Sequence, residues 1–275
     1  MTLPSDSTYR TSCKLIQQLY KTVDERKEEG RPAEGAFQWD TLADQPVESI
    51  VDHSSLIWSE TLVYRRKLGG RHRRYRWAHE EAPVALVSLS NTGTLYIAFR
   101  GTNISAEWDV NLRVHKVDFR PNGIDFGKTH YGFTDCFEEM QEALFDAFIE
   151  VLDRNQSLPV KDIVITGHSL GGAYATLAFA AMATSSTYQN LAIPLSGLVF
   201  GCPRVGSESF AQKFQSLDLP FYRVENTEDP VPKAPFEEMG YAHVCDRLSF
   251  SEDTGGLASN HSMQTYLDEA AVALA

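Results

Sequence analysis

The sequence has few cysteines and no long apolar run. Its four cysteines, Cys13, Cys136, Cys202 and Cys245, are widely spaced and form no CxxC pair. This spacing predicts free thiols in a reducing compartment and argues against a disulfide framework. No stretch reaches the roughly 18 consecutive apolar residues of a transmembrane helix. The opening residues, MTLPSDSTYRTSCKL, lack the apolar segment of a signal peptide, so we expect a cytoplasmic protein, with a secreted one as the alternative if a leader peptide has been removed.

Basic charge is also scarce, since 37 acidic residues outweigh 25 Lys and Arg and the formal net charge is −12. Such a balance argues against nucleic acid as a partner of the whole molecule. No H-E-x-x-H motif or clustered His/Cys spacing occurs, so we predict no metal site and no cofactor. The sequence offers no basis for predicting an oligomeric state.

The sequence predicts a single α/β domain that spans residues 1–275, because no repeat or low-complexity linker divides the chain. Apolar spacing predicts helices over about 13–27, 47–64 and 136–152. The runs 84–89 and 94–99 predict a hairpin that turns at 91–93. The runs 162–166, 197–201 and 221–226 each follow a helix or loop, which predicts parallel strands with crossovers.

The strongest motif is Gly167-His168-Ser169-Leu170-Gly171, which fits G-x-S-x-G. A β-branched run precedes it and a helix-forming run, Ala173–Ala183, follows it. This strand–turn–helix context is typical of a nucleophilic serine on a strained turn, where side chains at the two glycines would clash. The alternative is a glycine-rich turn that serves only close packing.

A nucleophilic serine needs a base and a carboxylate to activate it. In enzymes with a serine on a G-x-S-x-G turn, the carboxylate and then the histidine follow the serine along the chain. RVENTEDPVPKAP offers Glu225, Glu228 and Asp229, of which Asp229 is favoured because Pro230 biases it towards an extended conformation at a strand end. The histidines after Ser169 are His243 and His261. His261 is favoured because it lies in a polar loop immediately before a predicted C-terminal helix, whereas His243 lies in the strand-like run YAHVCDRLSF.

With these positions in view, the chain resembles the class 3 lipases, the fungal-lipase-like branch of the α/β-hydrolases. The stretches that carry the resemblance run in order from about 84 to 266: IAFRGT, HYGF, TGHSLGGAYATL, GLVFGCPRVG, RVENTEDPVPKAP, YAHV and NHSMQTY. The resemblance implies an α/β-hydrolase fold, a mostly parallel central sheet flanked by helices, with a short helical lid.

The resemblance also implies roles for individual residues. Ser169 would be the nucleophile, Asp229 the orienting acid and His261 the general base. Thr102 would form the oxyanion hole with its N–H and hydroxyl, together with the N–H of Leu170. A threonine that merely ends a strand is the alternative for Thr102.

A lid would follow the oxyanion threonine, where this chain has NISAEWDVNL. Trp108 and Leu112 are spaced to lie on one helical face and cover the acyl groove. The family often has W-x-x-D-L here, and Asn111 replaces the acid, which affects how an open lid would be held. A fixed surface helix is the alternative.

The segment Arg65–Arg76 carries seven of the 25 Lys and Arg residues, interleaved with aromatic side chains. It suits peripheral contact with an anionic lipid surface. A solvated hairpin or loop that pairs with the acidic remainder of the chain is the interpretation we favour.

The resemblance therefore implies a lipid ester hydrolase that acts on acylglycerols through an acyl-enzyme, at a lipid–water interface. A phospholipase A1 or a short-chain or feruloyl-type esterase remains open. The alternative of another class is a lipase-shaped interaction module without turnover, against which all three triad positions are filled.

Overall fold

A seven-stranded sheet forms the centre of the protein. The computed structural model describes residues 3–28, 56–64, 82–101, 115–154 and 159–274. The strands of the sheet are β1 (Leu56–Tyr64), β2 (Ala82–Ser90), β3 (Thr94–Phe99), β6 (Asp162–His168), β7 (Leu195–Phe200), β8 (Phe221–Asn226) and β9 (Arg247–Phe250). They lie in that order, with β1, β2 and β3 antiparallel and the pairs from β3 to β9 parallel. The predicted fold class, a mostly parallel sheet flanked by helices, is confirmed.

The remaining elements surround this sheet. A small antiparallel pair is formed by β4 (Lys116–Asp118) and β5 (Lys128–His130). The helices are α1 (Asp6–Glu28), α2 (Tyr131–Arg154), α3 (Leu170–Ala183), α4 (Ser186–Leu191), α5 (Glu208–Gln215), α6 (Leu257–Asn260), α7 (Met263–Asp268) and α8 (Ala270–Ala273). Short 3₁₀ turns occupy Pro121–Gly123, Val231–Lys233 and Glu237–Met239.

Two apolar clusters cover the two faces of the sheet. On one face, α2 and α3 pack with α5 over the strands, and side chains such as Phe137, Phe148 and Phe179 are fully buried. On the other face, α1, α7 and α8 pack through Tyr9, Leu15 and other apolar side chains. Burying one such side chain stabilises the fold by about 1.5–3 kcal/mol.

The two helices that flank the predicted serine turn differ in their sequence pattern for a physical reason. Helix α2 has one apolar face, as its spacing predicted, and its opposite face is partly exposed. Helix α3, LGGAYATLAFAAMA, is buried on all sides after its first residue. Its small side chains let it lie close to the sheet, so the start of α3 is held rigidly at the sheet edge.

Several local predictions can be compared with the strands and helices. The hairpin is confirmed, with Gly93 donating its N–H to the Ser90 carbonyl across the turn. The helix predicted over 47–64 is wrong where the structure describes it, because Leu56–Tyr64 is an edge strand paired with β2. Pairing with a neighbouring strand is a tertiary effect that outweighs the weak helical spacing of these residues.

The strand-like interpretation of the run 241–250 is also only partly right. Arg247–Phe250 forms β9, but His243 lies before it, and Ala242 makes only an isolated bridge to Gly206. The helix predicted after His261 is present as Met263–Asp268. Across the portions of chain described above, no helix combines the length and apolar character needed to span a bilayer.

Candidate active site

Ser169 stands on a strained turn at the carboxyl edge of the sheet. It joins β6 to α3 with φ 58° and ψ −129°, a backbone conformation that side-chain-bearing residues rarely adopt. A Cβ on Gly167 would collide with the Gly171 carbonyl, and one on Gly171 would lie 2.5 Å from the Phe99 carbonyl oxygen. The turn therefore requires glycine on both sides of the serine, as the motif predicted.

The surroundings of Ser169 suit a group that becomes negatively charged nearby. Its N–H donates to the Phe200 carbonyl at 3.0 Å, which ties the turn to the end of β7. Leu170 is the first residue of α3, so its N–H has no acceptor within the helix. The partial positive charge of the helix N-terminus lies at the same place.

Asp229 lies in the loop after β8 and is completely buried. Its Oδ1 accepts the Val231 N–H at 2.9 Å. Its Oδ2 accepts two bonds, from His261 Nδ1 at 2.6 Å and from the Tyr266 hydroxyl at 2.7 Å. Three donors satisfy this buried carboxylate and hold it in one orientation.

His261 follows α6 and points its other nitrogen away from Asp229. Because the carboxylate only accepts hydrogen bonds, Nδ1 carries the proton and Nε2 has a free lone pair. Within the described residues, His261 Nε2 is buried and has no hydrogen-bond partner. This imidazole is thus in the tautomer that a general base requires.

The loops that carry Asp229 and His261 are tied to each other by two asparagines. Asn226 Nδ2 donates to the Glu252 and Asn260 carbonyls at 2.8 and 3.1 Å. Asn260 Nδ2 in turn donates to the Glu228 carbonyl at 3.4 Å. These bonds hold the acid and the base in register with each other.

Sequence reasoning missed two residues in this site. Tyr266, which donates to Asp229, lies within the quoted stretch NHSMQTY but received no role. Gly201 lies so close that a Cβ would meet Asp229 Oδ2 and His261 Cε1, each at 2.9 Å. The signal for Gly201 was present in GLVFGCPRVG, where a glycine directly follows a parallel strand.

The alternative acid and base candidates lie elsewhere and have other partners. Glu225 forms an ion pair with Arg223, and Glu228 is exposed and accepts from Thr227 and Ser251. His243 Nε2 donates to the Pro232 carbonyl at 2.8 Å. Burial, together with the charge of Arg223, lowers the pKa of His243 to about 3, which does not suit a base at neutral pH.

Other predicted functional residues fall outside the described ranges. These are Thr102, Trp108, Leu112 and the segment Arg65–Arg76. Their roles stay predictions. Over the ranges that are described, no group of three or more His, Cys, Asp and Glu side chains is arranged to hold a metal ion.

Comparison with known proteins identifies relatives. The family model "Lipase (class 3)" matches residues 96–239, just over half of the 275 residues. A lipase of Rhizomucor miehei is 34% identical over 165 residues, which cover 58% of this chain and 43% of the relative. Phospholipase A1-II 1 of Oryza sativa subsp. indica is 35% identical over 174 residues, with 58% and 43% coverage. The matched stretch thus spans less than half the length of either curated relative.

Solved structures extend the likeness over more of the chain. Lipase II from Rhizopus niveus superimposes with a TM-score of 0.63 and covers 90% of this chain and 82% of its own, at 21% identity. At that identity the likeness establishes the α/β-hydrolase architecture.

Proposed function

The chain belongs to the class 3 lipase family, and from that membership and the geometry of its site we propose that it hydrolyses lipid esters. Ser169 is the nucleophile, His261 the general base and Asp229 the group that orients the base. The observation that carries the proposal is the bond from His261 Nδ1 to the buried Asp229, which leaves His261 Nε2 as an acceptor with no partner among the described residues.

The proposed reaction has two halves. Ser169 Oγ attacks the acyl carbon while its proton passes to His261 Nε2, and the resulting imidazolium is stabilised by Asp229. The oxyanion of the tetrahedral intermediate accepts a hydrogen bond from the Leu170 N–H. In the role predicted for Thr102, its N–H and hydroxyl donate to the same oxygen. When the tetrahedral intermediate collapses, the ester C–O bond breaks, the alcohol leaves with the proton from His261, and an acyl-enzyme remains. Water then repeats the attack and releases the acid.

Acylglycerols are the substrate class we propose first, and phospholipids hydrolysed at their first acyl position are the second candidate. The former is supported by the fungal relative named as a lipase, and the latter by the plant relative named as a phospholipase A1. A lid carrying Trp108 and Leu112, which would cover the acyl groove away from a lipid–water interface, belongs to the same proposal. Contact of Arg65–Arg76 with an anionic lipid surface is the alternative to the solvated loop that the sequence favours.

The test is hydrolysis of p-nitrophenyl esters from acetate to palmitate, beside emulsified triacylglycerol and phosphatidylcholine. Ser169→Ala should lower kcat by about 10⁵–10⁶, because triad members act as a unit. Ser185→Ala is the matched control, since Ser185 also precedes a helix without capping it through its side chain. Equal activity of Ser169→Ala and wild type would refute the assignment, and preference for phosphatidylcholine over triacylglycerol would select the second substrate class.

A further inference from the structure

Helix α1 lies outside the residues that the family model matches, yet it reaches the proposed site. Its Tyr20 hydroxyl lies 2.8 Å from His168 Nδ1, and the same oxygen accepts the Gly101 N–H at 2.8 Å. On the other side of the ring, His168 Nε2 lies 2.8 Å from the carbonyl oxygen of His261. On the basis of the proposed function, we propose that Tyr20 and His168 are positioning residues. They fix the general base, His261, relative to Gly101, the residue before the predicted oxyanion threonine.

The direction of each bond in this chain follows from the acceptor at its end. The His261 carbonyl oxygen can only accept, so His168 Nε2 must carry a proton and donate it. In a neutral ring, Nδ1 is then a lone-pair acceptor, and the Tyr20 hydroxyl donates to it. The Tyr20 oxygen keeps a lone pair for the Gly101 N–H. No member of the chain can reverse its role without leaving a buried donor or acceptor unpaired.

His168 is held in the neutral state that this arrangement needs. Its side chain is buried, and burial is the main cause that lowers its pKa well below the ordinary value. A positive charge on His261 lowers the pKa of His168 further, because the two ring centroids are only 4.5 Å apart with planes inclined by 32°. When His261 becomes an imidazolium during catalysis, it therefore faces a neutral ring that does not repel it.

This series of hydrogen bonds ends at two places where a small displacement would change the catalytic geometry. One end is the backbone of His261, whose ring packs on His168. The other is Gly101, the residue before the predicted oxyanion threonine, where a Cβ would lie 2.8 Å from Ser169 Cβ. A shift of about 1 Å in catalytic geometry costs about 10²-fold in rate. Hydrogen bonds that fix both places should therefore affect kcat more than they affect substrate binding.

The first experiment compares Tyr20→Phe with wild type on p-nitrophenyl butyrate. We expect kcat to fall about tenfold with KM changed less than about twofold, since one buried hydrogen bond contributes up to about that factor. The matched control is Tyr188→Phe, because Tyr188 likewise donates one hydroxyl hydrogen bond, to the Ile193 carbonyl at 2.6 Å, and lies outside the site. Unchanged kcat in Tyr20→Phe, with a loss of melting temperature like that of Tyr188→Phe, would overturn the proposal.

A second pair of variants separates positioning from packing. Glutamine at position 168 can accept from Tyr20 through its oxygen and donate to the His261 carbonyl through its nitrogen, whereas leucine fills the space and does neither. We expect His168→Gln to keep kcat within about fivefold of wild type and His168→Leu to lose about 10–100-fold. Equal kcat in the two variants would show that His168 only packs. If neither folds by near-ultraviolet circular dichroism, the Tyr20→Phe result decides.

A readout independent of turnover separates this proposal from the proposed function. Nitrogen-15 NMR of labelled histidine in the wild-type protein should show His168 with its proton on Nε2, and Tyr20→Phe should keep this tautomer, because the His261 carbonyl still requires a donor, and change the Nδ1 resonance, which loses the Tyr20 donor. A proton on Nδ1 in the wild type would overturn the positioning role. If no ester is hydrolysed but the predicted tautomer is found, the proposed activity is wrong, while the hydrogen-bond arrangement from Tyr20 through His168 to His261 is confirmed.

Discussion

The replacement of Asp229 by asparagine tests the central bond of the site. Asparagine has nearly the same shape, but one of its two terminal atoms is an NH₂ donor. If the amide oxygen takes the place of Oδ1, it still accepts the Val231 N–H, and the NH₂ faces both His261 Nδ1 and the Tyr266 hydroxyl. His261 must then accept at Nδ1 and carry its proton on Nε2, so it cannot take a proton from Ser169.

The magnitude follows from the alternative orientation of the amide. Turning the NH₂ towards the Val231 N–H would restore the active tautomer but oppose two donors in a fully buried position. Such an unsatisfied donor costs about 1–3 kcal/mol, or about thirtyfold in population at the middle of that range. Loss of the negative charge that stabilises the imidazolium of His261 costs about 1.5–3 kcal/mol more. Together these costs predict that kcat falls by about 10³, within about tenfold of the loss that the same change causes in another serine triad.

The assay is the steady-state rate on p-nitrophenyl butyrate, with the melting temperature measured beside it. Glu228→Gln is the matched control, because Glu228 is the adjacent carboxylate and its exposed side chain does not contact His261. It should retain kcat within about twofold, since exposed charges contribute little. A loss of less than about tenfold in Asp229→Asn, in a protein that melts normally, would refute the tautomer argument.

Three further predictions concern the packing and charge around the site. Gly201→Ala should lower kcat about 10²-fold by displacing the acid–base pair, whereas Gly255→Ala, also at positive φ but with open space around it, should leave kcat unchanged; equal rates would contradict this. Glu225→Gln should lower the free energy of unfolding in urea by about 3–5 kcal/mol, because it leaves the buried charge of Arg223 without its partner, and an unchanged midpoint would be inconsistent with that pair. The pKa of His243 is lowered to about 3, so the unfolded chain binds more protons below pH 6.5, and stability should fall as pH decreases from about 6.5 towards 3. His243→Gln should flatten that slope, which is at most about 1.4 kcal/mol per pH unit, and an identical slope in both proteins would count against the assignment.

The features that sequence reasoning predicted correctly are those set by neighbours along the chain. The glycines around Ser169 are required by a turn only five residues long, so the motif alone indicated the strained backbone. The amphipathic spacing of α2 predicted a helix because one turn of helix involves four residues. The candidates Asp229 and His261 were likewise placed in loops that follow or precede regular elements, and these are the residues that the structure brings together.

The errors have a common physical origin. The segment Leu56–Tyr64 became a strand because it pairs with β2, and its own spacing does not report that partner. The sequence favoured Asp229 and His261 over Glu225 and His243, but it did not show the partners of Glu225 and His243, which are Arg223 and the Pro232 carbonyl and which only the fold places beside them.

By itself, therefore, the sequence determined the fold class, the serine on its tight turn and a short set of acid and base candidates, because periodicity and glycine sterics act over a few residues. Only the tertiary structure decided which carboxylate faces which imidazole, that Tyr266 completes the shell of Asp229, and that Tyr20 reaches His168 across 148 positions of the chain. Contacts of that range arise from packing helices and loops on the sheet, and no local pattern encodes their distances.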